Sequence, residues 1–109
     1  MREDRVFTVY IMTNTPRGVL YVGVTSDLLG RVQQHRERAY PGFTSQWGLR
    51  QLVWYQVFDD AESAIHFEKR LKRWRRQWKF DLIEQTNPQW ADLWETAFKS
   101  DAGALSGPG

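Results

Sequence analysis

The stretch VYIMTNTPRGVLYVG, Val9 to Gly23, limits what this chain can become more than any other. Residues 5–12 alternate. Phe7, Val9 and Ile11 point one way, and Val6, Thr8, Tyr10 and Met12 point the other. Residues 19–25 alternate too, with Leu20, Val22 and Val24 in one set and Val19, Tyr21, Gly23 and Thr25 in the other. TNTPRG between them is rich in turn formers, so the two segments predict an antiparallel hairpin. A loop centred between Thr15 and Pro16 sets Tyr10 opposite Tyr21. One face of the hairpin is then apolar, while the other carries both phenols with Thr8, Gly23 and Thr25. That second face is too polar and too small-residued for a plain core layer, and Gly23 within a strand marks a close approach by another group.

The rest of the chain predicts helices around one further strand. Ser26 or Asp27 caps a helix running to about Arg38, with Leu28, Leu29 and Val32 as its apolar stripe. Arg31 and His35 are four apart and therefore adjacent on its surface. Gly30 weakens this helix by about 1 kcal/mol relative to Ala. Residues 40–50 read as a loop, and QLVWYQVF (51–58) as the third strand. Asp59 and Asp60 open a helix in which Ala61, Ala64, Ile65, Phe67, Leu71 and Trp74 share one face. A further helix covers Arg75 to Gln85. Asn87 then caps a last short helix, with Pro88 in its first turn and Trp90, Leu93, Trp94 and Phe98 as its stripe. The expected fold is α/β (α+β): a single domain over residues 1–98, a three-stranded antiparallel sheet flanked by helices, with 99–109 a disordered tail.

The chain has 109 residues, enough for one modest core. Cysteine is absent, which excludes disulfides and thiolate metal sites and suits a reducing cytosol. No apolar run approaches the roughly 18 residues that span a bilayer, and MREDR leads into no signal-peptide segment. A cytoplasmic protein without a membrane partner is expected. Net charge is only +2, but KRLKRWRRQWK (69–79) holds seven of the fifteen Lys and Arg residues. Such a run either attracts a polyanion or forms the solvated face of an ordinary helix.

Glu68 is the sharpest anomaly, because it falls inside the apolar arc of its helix. A carboxylate on a packed face costs several kcal/mol unless it is paired, hydrogen-bonded or bound to metal. It reads either as a structural ion pair with Arg31 or a nearby lysine, or as a ligand. A single carboxylate can hold a Mg²⁺ that keeps its waters and takes further ligands from a phosphate. Taken singly, each tyrosine is a good strand residue. Arg31, His35 and His66 are likewise ordinary on a helix surface.

In their order and spacing these residues resemble the GIY-YIG nucleases. The two strand motifs of that family are matched by TVY (Thr8–Tyr10) and YVG (Tyr21–Gly23). The helical arginine is matched by Arg31 in TSDLLGRVQQH, the following histidine by His35, the metal-binding glutamate by Glu68 in FEKRLKRW, and a late asparagine by Asn87 in TNPQW. The resemblance covers about residues 5–95 and is nearest to small stand-alone members. Thr8 stands where the first motif has glycine, and Gly30 where the family often has a larger residue. The resemblance implies a divalent-metal-dependent endonuclease, structure- rather than sequence-directed. Glu68 would hold Mg²⁺ or Mn²⁺, and Tyr10, Tyr21, Arg31 and His35 would be catalytic. Gly23, Asn87, Lys69, Lys72 and Arg73 would face the substrate, a nucleic acid, DNA before RNA. Which phenol accepts the proton stays open. Two other readings stand beside it: a nucleic-acid-binding module of the same fold that cleaves little or not at all, and an interaction protein using the Trp-rich C-terminal segment.

Overall fold

Both alternating segments are strands, and the turn between them sets their register. A computed structural model of the chain describes residues 6–37 and 48–94. The strands are β1 (Phe7–Thr13), β2 (Leu20–Thr25) and β3 (Gln51–Phe58), and the helices are α1 (Leu28–Arg36), α2 (Ala61–Arg73) and α3 (Arg76–Thr86). The strands form one antiparallel sheet in the order β2-β1-β3. This is the expected α+β fold.

The hairpin register differs from the expected one by two residues. Tyr10 lies opposite Gly23, and Tyr21 lies opposite Met12. The cause is local. Gly18 N–H donates to Thr15 O at 2.8 Å, closing a β-turn with Pro16 second and Arg17 third. Arg17 takes the positive φ of 56° that this turn requires. The loop centre therefore falls between Pro16 and Arg17, one residue later than the sequence suggests. A two-residue shift keeps every side chain on its face.

The sheet divides the core into two layers. On one face Val9, Ile11 and Val22 pack with Ala64 and Leu71 of α2, Phe80 and Ile83 of α3, and Trp90. On the other face Tyr10 and Met12 pack with Val32 of α1, Leu49 and Leu52. The phenol-bearing face is thus a second core layer, not an open floor. Tyr10 is fully buried, and α1 covers it. Sequence reasoning missed this cover because α1 has a weak apolar stripe; its buried residues are only Val32 and His35.

On α2, Ile65 is 42% exposed, so it leaves the expected packed arc, whereas Glu68 is buried as anticipated. Asn87 does not start a last helix. It is the C-cap of α3, and the segment after it runs along β3, where Leu93 N–H donates to Leu52 O at 2.6 Å. Covering an exposed strand edge in this way suppresses stray pairing. The loop at 40–47, the stripe residue Phe98 and the tail 99–109 lie outside the described residues.

Candidate active site

Helix α1 starts directly after β2, and its start is fixed by side-chain bonds. Thr25 Oγ1 accepts from Asp27 N–H at 2.9 Å, and Asp27 Oδ1 accepts from Gly30 N–H at 3.1 Å. A Cβ at Gly30 would collide with the Asp27 carboxylate. Gly30, read from sequence only as a weak point, therefore leaves room for the cap.

This anchoring lays His35 against the hairpin. His35 is 1% exposed, not on the solvated surface its helix position suggested. Its Nε2 lies 3.2 Å from Tyr10 Oη, and its ring centroid is 5.2 Å from that of Tyr21. The Tyr10 and Tyr21 centroids are 6.2 Å apart. Two phenols and an imidazole from three segments therefore form one cluster. Burial, aided by the Arg31 charge one helical turn away, lowers the His35 pKa to about 4. The ring is neutral at pH 7.

Gly23 serves this cluster. A Cβ there would lie 2.5 Å from Tyr10 Oη and 2.6 Å from Cζ. The space expected for a phosphate is occupied by the Tyr10 ring, which crosses its cross-strand partner. Thr8, in the place of the family glycine, is also buried on this face.

Arg31 is half-buried and lines a cleft at the β2 edge with Thr25, Ser26, Ala61 and Ile65. The last two belong to α2. At 100° per residue, Ala61, Ile65, Glu68 and Lys72 lie within about 60° of one another around that helix. Glu68 sits roughly 4.5 Å further along the axis from Ile65. The arginine and the acid thus belong to the same edge of the molecule. The sequence did not single out Thr25 and Ser26 as site residues; their only signal was their place between β2 and α1.

Glu68 is 7% exposed, and its Oε2 pairs with Lys72 Nζ at 2.8 Å. The anticipated ion pair with a nearby lysine is therefore present. No group of three or more His, Asp or Glu side chains that could hold a metal ion occurs among the described residues. The donor set fits only an ion that accepts one carboxylate and otherwise water or phosphate, which Mg²⁺ does. Lys69, Lys72 and Arg73 are exposed on α2.

Asn87 has a different setting. Its Nδ2 donates to Val53 O at 3.1 Å and to Ala91 O at 2.9 Å, and its Oδ1 accepts from Ala91 N–H at 2.9 Å. Val53 is the residue skipped where the β1–β3 register shifts. Asn87 is buried and staples this bulge to the segment after α3. Both of its amide hydrogens are committed to the backbone, so it positions the chain and not a substrate.

Residues 6–81 match the GIY-YIG catalytic domain. The chain belongs to the GIY-YIG family. It is similar to the UPF0213 protein of Aeromonas salmonicida (strain A449), 29% identical over 86 residues, covering 79% of this chain and 62% of that one. With the UPF0213 protein of Aeromonas hydrophila it shares 31% identity over 74 residues, 68% of this chain and 54% of the other. The chain thus spans only about half to three fifths of the length of these two relatives. A solution NMR structure of a UPF0213 protein from Bacillus halodurans aligns with a TM-score of 0.51 at 25% identity, over 80% of this chain and 92% of that one. Membership gives the chain a nuclease fold. No helix among the described residues is long and apolar enough to cross a membrane.

Proposed function

We propose that the chain is a divalent-metal-dependent endonuclease acting on nucleic acid, DNA in preference to RNA, in the cytoplasm. The strongest support is the Tyr10–His35–Tyr21 cluster, one helical turn from Arg31 on α1. Buried polar groups are costly unless they are hydrogen-bonded, so a tyrosine and a histidine held together inside the fold call for an explanation.

Arg31 donates to a phosphate oxygen and stabilises charge as the phosphorane-like state develops. With a pKa of about 4, His35 is a weak base at neutral pH. The proton of the attacking water therefore goes to a tyrosine Oη, which passes its own hydroxyl proton to solvent. Tyr21 is half-buried and Tyr10 fully buried, so Tyr21 is the base and Tyr10 positions His35 against it. Glu68 would hold the Mg²⁺ or Mn²⁺, whose Lewis acidity would polarise a phosphate oxygen. Lys69 and Arg73 supply backbone attraction. Lys72, paired with Glu68 at 2.8 Å, would have to swing away for the carboxylate to bind a metal.

A second reading is favoured by the Glu68–Lys72 pair, which already neutralises the acid. On that reading the chain binds nucleic acid with little or no cleavage. Cleavage of nicked, branched and single-stranded substrates with Mg²⁺ or Mn²⁺ separates the two. Arg31→Ala and Glu68→Ala should each lower kcat/KM by about 100-fold or more. Cutting that persists equally in both variants would sink the site assignment. Binding without any cutting would leave the module.

A further inference from the structure

The junction between α2 and α3 carries an aromatic surface that the chemistry above does not use. Trp78 is 52% exposed. It meets Trp74 edge-on at 6.3 Å, and the Arg75 guanidinium lies 5.5 Å from its ring centroid. Trp74, Trp78 and Leu82 line a groove together with the polar Asp81 and Gln85. Beside it, on the outer side of α2, His66, Lys69, Arg70 and Arg73 line a shallow basic depression. Residues 69–79 contain seven cations and no acid.

We propose that this corner binds an unpaired stretch of nucleic acid, with one base stacked on Trp78 and the neighbouring phosphates on Arg70 and Arg73. A duplex hides the faces of its bases inside the stack, so only an unpaired base can lie on an exposed indole. Arg75 braces the ring by a cation–π contact. Asp81 fixes the orientation. Its carboxylate repels a phosphate and accepts from a base amino group, so the base enters the groove and the backbone follows the arginines. Gln77 Nε2 donates to Asp81 Oδ1 at 2.9 Å and holds the carboxylate in place. The surface lies at the C-terminal end of α2, whereas Ala61 in the Arg31 cleft lies at its start. About 18 Å of helix separates the two ends. The strand would thus be gripped well away from the bond that is cut. This substrate class rests on the nuclease reading for the identity of the polyanion alone.

The test is fluorescence anisotropy in EDTA, with a labelled single strand of roughly 12 nucleotides and the matching duplex. Trp78→Ala should weaken single-strand binding about 5- to 150-fold and leave duplex binding unchanged. Trp78→Phe, which keeps a stacking face, should stay close to wild type. Arg73→Gln should reduce the single-strand salt slope by about 0.7. Equal losses on both nucleic acids, or no loss for Trp78→Ala in a variant whose melting curve matches wild type, would overturn the proposal. Absence of affinity even at low salt would overturn it too and turn the surface over to a protein partner. Because no metal is present, the assay is independent of cleavage. A chain that never cuts, yet loses single-strand affinity with Trp78→Ala, would end the nuclease reading and keep this one.

Discussion

The two faces of the sheet are packed by different means. Under α2 and α3 the contacts are aliphatic and aromatic, and Phe67 meets Phe58, Trp54 and Trp74 at centroid distances of 5.6–6.2 Å. Under α1, aliphatic residues share the layer with a phenol and an imidazole whose contact depends on atomic placement. The first face holds by area removed from water, which is non-directional. The second adds a polar pair that only one geometry satisfies. The comparison separates a layer held by buried area alone from one that also depends on a specific polar contact.

The largest effect should come from the apolar layer. Leu71 is fully buried there. Leu71→Ala should cost about 2–5 kcal/mol in urea denaturation. Because no titrating contact is lost, the cost should be the same at pH 7 and pH 5. A loss below about 1 kcal/mol would mean that this layer is not where the stability resides.

The next effect belongs to the other layer and depends on pH. The His35 pKa falls from its ordinary value of 6.5 to about 4 on folding, so folding favours the neutral ring. The stability this gives is fully present above pH 6.5 and is lost as pH falls towards 4. About 2 kcal/mol should be gone by pH 5, out of about 3 kcal/mol in all. Asp60 and Glu84, whose pKa values are lowered by hydrogen bonds from Ser63 and Arg17, lose their contributions in the lower carboxylate range. Stability measured against pH, with an NMR titration of His35, checks this. A flat profile between pH 7 and 5 would place His35 in solvent and dissolve the contrast between the faces.

Much of this arrangement was legible in the sequence. Period-two alternation fixed which side chains share a face, and a turn misread by one residue did not disturb it. Glu68 stood out because helical periodicity placed an acid among apolar residues. Two things were hidden. The cover over Tyr10 depends on α1, whose apolar stripe is too sparse to announce a core layer. The commitment of Asn87 depends on a bulge at Val53, and no local pattern signals where a strand will skip a residue. Both are tertiary facts, settled by which segment fills a space and not by the preference of any residue in it.

Gly23 gives the smallest effect and the most pointed test. If the glycine makes room for the Tyr10 ring, Gly23→Ala should cost about 1–3 kcal/mol, because a ring held on all sides has to shift. Tyr10→Phe should not relieve it, since Cζ would still lie 2.6 Å from the new methyl. Tyr10→Leu should relieve much of it, giving a coupling of about 0.5–3 kcal/mol in a double-mutant cycle. Were the glycine instead clearing space for a phosphate, Gly23→Ala would leave urea stability unchanged and raise KM alone, and the cycle with Tyr10 would show no coupling. The first outcome makes Gly23 part of the device that seats Tyr10 against His35. The second would return this face of the hairpin to the substrate.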